Sequence, residues 1–87
     1  MDACVKLLRA FMSADLFHTR KSLGLSQADM AELLSIDLRS YADLEHGKNL
    51  CCTRVFIFYL LRCKKDRHQF LLDVEAALRT LDDFQNS

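Results

Sequence analysis

Residues 20–48 read Arg20-Lys21-Ser22-Leu23-Gly24-Leu25-Ser26-Gln27-Ala28-Asp29-Met30-Ala31-Glu32-Leu33-Leu34-Ser35-Ile36-Asp37-Leu38-Arg39-Ser40-Tyr41-Ala42-Asp43-Leu44-Glu45-His46-Gly47-Lys48. Two stop signals and two start signals divide this stretch. Gly24 follows Leu23 and closes a preceding helix, with Lys21 near its end. Ser26 is an N-cap, and Asp29 stands where the return half of a capping box belongs, although Asp is shorter than the preferred Glu or Gln. The helix Gln27 to Leu34 then places Met30, Leu33 and Leu34 on one face, and small Ala31 suits close approach of another helix. Ser35-Ile36-Asp37 breaks it, with Ile36 plugging the turn. Asp37 caps a further helix, Leu38 to His46, whose inner side carries Tyr41 and Leu44, and Gly47 ends that helix. The layout is helix, turn, helix, at about residues 26–46.

Outward from this unit the chain remains helical. Val5, Leu8 and Met12 recur at spacings of three and four, and Leu16, Thr19 and Leu23 continue one face. Ser13 reads as an N-cap with Asp15 in its first turn, so residues 3–23 are read either as one helix or as two. After a linker at 48–52, a fourth helix opens at Cys52 or Thr53 and runs to about Lys64. Its run from Val55 to Leu61 also suits a buried strand, but no partner strand exists elsewhere, so helix is preferred. That run is apolar around its circumference and needs cover on all sides. Asp66 caps a fifth helix over about 67–81, with Phe70, Leu71, Val74, Ala77, Leu78 and Leu81 as its stripe. Residues 82–87 are expected to fray.

Composition agrees with an all-α chain of one domain, residues 1–87. Of its 87 residues, 51% are hydrophobic and 28% charged, with two glycines and no proline. Turn-rich β folds need more of both. A domain this small buries a modest core, which makes help from a second subunit reasonable. Lys+Arg and Asp+Glu number 12 each, so bulk charge drives no coating of nucleic acid. The longest apolar run is far short of the ~20 residues a membrane span requires. No signal-peptide core appears between Met1 and Met12, which carries Asp2, Lys6 and Arg9, and a cytoplasmic location is expected.

Residues Leu23-Gly24-Leu25-Ser26-Gln27, Met30-Ala31, Leu34, Ile36, Tyr41 and Leu44-Glu45-His46-Gly47-Lys48 together resemble the lambda-repressor-like (Cro/CI, Xre-type) helix-turn-helix family. The likeness covers about residues 14–63. The whole chain also looks like small regulators of that family from bacteria and their mobile elements. The resemblance implies a five-helix DNA-binding domain acting as a transcriptional regulator, of repressor type. It implies double-stranded DNA as partner, while the apolar fourth and fifth helices lead to the expectation of a homodimer. The helix Leu38–His46 would lie in the major groove. Leu38, Arg39, Ser40, Ala42 and Asp43 would face base edges, with Arg39 forking onto guanine, Leu38 against a thymine methyl and Asp43 accepting from cytosine. Gln27 would meet phosphate at a helix N-terminus, and Lys48, Asn49, Thr53 and Arg54 would grip the backbone opposite. Arg20 and Glu45 match a family pair that forms a partly buried ion pair, a structural role.

The resemblance departs from family habit in its charges. Between Ser26 and Lys48 two bases, Arg39 and Lys48, face five acids, Asp29, Glu32, Asp37, Asp43 and Glu45, a net of −3. Residues 49–67 carry Arg54, Arg62, Lys64, Lys65 and Arg67 against Asp66, a net of +4, and offer phosphate contacts if they face the same way. Ser35 also stands where the family turn commonly has glycine.

Other chemistries find little footing. Cys4, Cys51, Cys52 and Cys63 show no metal-ligand spacing and read as reduced thiols used as small apolar residues. His18, His46 and His68 converge with no carboxylate or thiol set, so no metal and no cofactor is expected. No nucleophile–base set or glycine-rich phosphate loop argues for an enzyme, and no small-molecule ligand is evident. The fourth and fifth helices are expected to form a symmetric dimer interface. The acidic unit and the apolar fourth helix leave one alternative, a protein–protein interaction module of antitoxin or antirepressor kind on the same fold.

Overall fold

A computed structural model describes the backbone of residues 3–86 and the side chains of residues 3–80. It contains α1 (Ala3–Leu23), α2 (Gln27–Leu33), α3 (Leu38–Glu45), α4 (Thr53–Arg62) and α5 (Arg67–Asn86), with no strand among the described residues. The fold is all-α. No helix among the described residues is long and apolar enough to cross a membrane.

α1 is one helix of 21 residues. Ser13 is therefore no N-cap; it sits mid-helix, and its hydroxyl donates to the carbonyl of Glu45 at the end of α3. The helix continues because Met12, Leu16 and Arg20, spaced four apart, all turn one buried face inward. A local capping preference yields there to a tertiary contact.

Three helices end with one hydrogen-bond pattern. After α1, Gly24 N–H reaches the Lys21 carbonyl and Leu25 N–H the Arg20 carbonyl, each at 3.1 Å. After α3, Gly47 N–H reaches Leu44 at 3.1 Å and Lys48 N–H reaches Asp43 at 2.9 Å. After α2, Ser35 N–H reaches Glu32 at 3.1 Å and Ile36 N–H reaches Ala31 at 3.0 Å. All three are Schellman closures, which need a left-handed residue at the step. Gly24 (φ 70°) and Gly47 (φ 75°) adopt it without a Cβ penalty, whereas Ser35 adopts φ 59° with one.

The core centres on Leu16, Met30, Leu34, Tyr41, Tyr59 and Phe70, all fully buried. Phe70 fastens α5 to the rest: its ring lies 5.9 Å from Phe11 of α1, 5.9 Å from Phe56 and 6.1 Å from Tyr59 of α4. Burial of such a ring contributes about 2–3 kcal/mol. Tyr59 closes a polar cluster with α1. Its hydroxyl lies against the Asp15 carboxylate and 2.9 Å from the Thr19 hydroxyl, and Lys64 Nζ stands 3.2 Å from the same carboxylate.

Several boundaries shift from the sequence reading. α2 ends at Leu33 and α3 at Glu45, with Leu34 and His46 as C-caps. α4 ends at Arg62, and α5 extends to Asn86 instead of fraying after residue 81. Leu71 does not belong to the inner stripe of α5, since it is 54% exposed, while Phe70 is buried and Val74, Ala77 and Leu78 are half-buried. The Leu81 side chain lies outside the described residues. α4 is incompletely covered by its own chain: Val55 and Tyr59 are buried, but Ile57 is 47% and Leu61 59% exposed.

Candidate nucleic-acid interface

α2 and α3 are fixed at their N-termini by capping side chains and at their C-termini by backbone closures. Ser26 Oγ accepts from Asp29 N–H at 3.1 Å and Asp29 Oδ2 accepts from Ser26 N–H at 3.0 Å, so the shorter Asp completes the capping box. These bonds, the Ser26 backbone bond foremost, hold the Asp29 carboxyl below its usual range. Asp37 accepts from Ser40 N–H at 3.3 Å and from the Ser40 hydroxyl at 2.5 Å, and the Ser40 hydroxyl bond leads in lowering its pKa.

Beneath them lies a buried ion pair. Arg20 donates from Nε to Glu45 Oε2 at 2.9 Å and from Nη2 to Oε1 at 2.8 Å, and its Nη1 donates to the Leu25 carbonyl at 3.2 Å. Gln27 Nε2 donates to the same Glu45 Oε1 at 3.3 Å. Burial pushes the Glu45 carboxyl up, but Arg20 foremost, with Tyr41 and Gln27 nearby, outweighs it and leaves the pKa below the ordinary carboxylate value. The Tyr41 hydroxyl is buried within electrostatic reach of the pair but outside hydrogen-bond geometry, and burial raises its pKa.

The outer side of α3 is open. Leu38 is 51% exposed, and Arg39 and Ser40 are exposed beside it. Among the described residues Arg39 has no hydrogen bond or ion pair, although its charge contributes to lowering Asp37. Ser40 is exposed with its hydroxyl committed to Asp37. Ala42 and Asp43 are half-buried, and Asp43 lies 3.9 Å from Lys48 Nζ. Lys48 and Asn49 are exposed in the segment after α3, and Thr53 is exposed at the start of α4.

Two expected phosphate contacts are occupied within the protein. Gln27 points its amide at Glu45. Arg54 Nη1 approaches the Ser35 carbonyl at 3.4 Å, with its guanidinium 5.8 Å from the Phe58 ring. Arg62, one further turn pair along α4, donates to the Leu33 carbonyl at 2.7 Å and stacks 4.2 Å over Phe58. Both arginines thus hold carbonyls at the α2–α3 turn. The basic segment does not present one continuous face: Lys64 pairs with Asp15, and Arg67 Nε donates to the Leu60 carbonyl at 3.0 Å.

Four of the five acids of residues 26–48 are similarly committed. Asp29 and Asp37 serve caps, Glu45 is neutralised by Arg20 from outside the segment, and Asp43 faces Lys48. Glu32 is exposed. No group of three or more His, Cys, Asp or Glu side chains is arranged to hold a metal among the described residues. No protein-family model, curated protein or solved structure matches this chain.

Proposed function

We propose that the protein is a sequence-specific DNA-binding regulator of transcription, of repressor type, that lays α3 in the major groove. The observation that carries this reading is Arg39, an exposed guanidinium with no hydrogen bond or ion pair among the described residues, on a short helix whose inner face is anchored. Tyr41 and Leu44 are buried beneath it, and Glu45 is locked to Arg20. A guanidinium held this way can fork onto guanine O6 and N7. Exposed Leu38, one residue earlier, suits a thymine methyl. Lys48, Asn49 and Thr53 reach the phosphates, which position the domain without reading sequence. Two copies bind as a symmetric dimer, using the apolar side chains that α4 and α5 leave open, Ile57, Leu61, Leu71 and Leu72.

Selection of duplexes from random sequence at fixed ionic strength tests the reading. The expected product is a pseudo-palindrome with half-sites about one DNA turn apart, bound more weakly as salt rises. Recovery of no preferred sequence favours the second reading, an interaction module for another protein. One observation speaks for it: the unit carries five acids against two bases.

A further inference from the structure

A cavity of about 260 Å3 lies where α1, the α3–α4 connector, α4 and α5 converge. Leu8, Phe11 and Met12 form its α1 wall, and Phe56 and Val74 face them from α4 and α5. Leu50 and Cys51 of the connector line its mouth, Thr53 supplies one hydroxyl, and no charged side chain among the described residues lines it. Leu50 and Thr53 are exposed, so the cavity reaches the surface on the connector side. The setting keeps the Cys51 thiol neutral, because burial pushes its pKa up to about 11.

This space suits a ligand better than water. Its walls offer water little beyond the Thr53 hydroxyl, so an apolar occupant would take apolar surface out of solvent at small polar cost. The volume exceeds a bare ring and is too small for the row of side chains that a partner helix presents over several turns. An acid or amine would lose its hydration here without a counter-charge.

We propose that this cavity binds one small uncharged apolar molecule, about the size of a single ring with a short alkyl chain, and that its occupancy sets the connector carrying Lys48 and Asn49. The binding site stands apart from the DNA reading; the effect on Lys48 and Asn49 rests on it. The connector is the lever, because Leu50 and Cys51 line the cavity while Lys48 and Asn49 immediately precede them.

The test titrates n-propylbenzene into the whole chain, followed by methyl NMR and thermal unfolding, with 3-phenylpropionate as a charged control. The expected result is saturable binding of one ligand per chain, shifts centred on Leu8, Leu50 and Val74, and a raised unfolding midpoint. Val74→Phe and, independently, Cys51→Leu narrow the cavity and weaken binding by about tenfold, with helicity checked by circular dichroism. Equal binding of the carboxylate, shifts centred on Ile57 and Leu61, or affinity unchanged in both folded variants overturns the site. So do Leu8 and Val74 shifts that vary with protein concentration without ligand, which would mean that a second copy fills the space. If n-propylbenzene binds but moves affinity for the selected duplex by less than about twofold, the coupling is overturned and the site stands. If the protein binds no duplex, the DNA reading and the coupling both fail while the site remains.

Discussion

Arg20 and Glu45, 25 residues apart, meet through two hydrogen bonds of 2.9 and 2.8 Å with both side chains buried. The pair joins the end of α1 to the end of α3, and Gln27 ties the start of α2 to the same carboxylate. Three helices therefore converge on one charge. Removing one member leaves the other buried without its counter-ion, which costs more than the pair contributes. Glu45→Gln is expected to destabilise the fold by about 3 kcal/mol, read as a lowered denaturant midpoint at unchanged slope. An Arg20→Met, Glu45→Leu double variant, which removes both charges, loses less than the sum of its single changes.

The same carboxylate gives stability a direction with pH. Its folded pKa lies below the ordinary value, so the unfolded chain takes up a proton first as pH falls. The contribution is complete above the ordinary carboxylate range and is lost as pH descends through the folded pKa. Asp29 and Asp37, lowered by their capping bonds, act in the same sense. Acid titration of stability should therefore fall more gently in Glu45→Gln than in the parent; parallel curves would assign acid sensitivity elsewhere.

Ser35 occupies the one Schellman step of the three that lacks glycine, at φ 59°. Its Oγ receives only a long bond of 3.4 Å from Arg62. Relief of the Cβ penalty outweighs that bond and the added freedom of the unfolded chain. Ser35→Gly is expected to stabilise by about 0.5–1 kcal/mol, seen as a higher unfolding midpoint. A lower midpoint would mean that the Arg62 contact is the larger effect.

Arg62 and Arg54 brace the α2–α3 turn from α4. Arg62→Ala should cost about 1–2 kcal/mol through the lost carbonyl bond and the stack on Phe58, while Arg54→Ala, with its 3.4 Å contact, costs less. A guanidinium turned onto its own protein releases no counterions, so Arg62→Ala should leave the salt dependence of the proposed DNA binding unchanged. A reduced slope would show that Arg62 reaches phosphate.

Much of this architecture is legible in local signals. Ser26 and Asp37 open helices, Gly24 and Gly47 close them, and Tyr41 and Leu44 repeat on one face because these are properties of neighbouring residues and of the 3.6-residue period. Tertiary contacts hid the rest. Ser13 resembles an N-cap until the Glu45 carbonyl lies beside it. Arg54 and Arg62 are basic residues near a proposed interface, but only packing against Phe58 shows where their charges turn. Gln27 sits at the helix start as its pattern predicts, while its amide is directed by a carboxylate 18 residues away. Asp15 and Tyr59 carry no sequence pattern that joins them.

The central claim concerns the outer face of α3, and Arg39→Ala tests it most directly. Affinity for the selected duplex and for its single-base variants should be measured at one ionic strength, alongside thermal unfolding of both proteins. The account predicts unchanged stability and a loss of about 1–3 kcal/mol of discrimination at one base position. Uniform weakening across all sequences, or a parent protein that prefers no sequence, would contradict it.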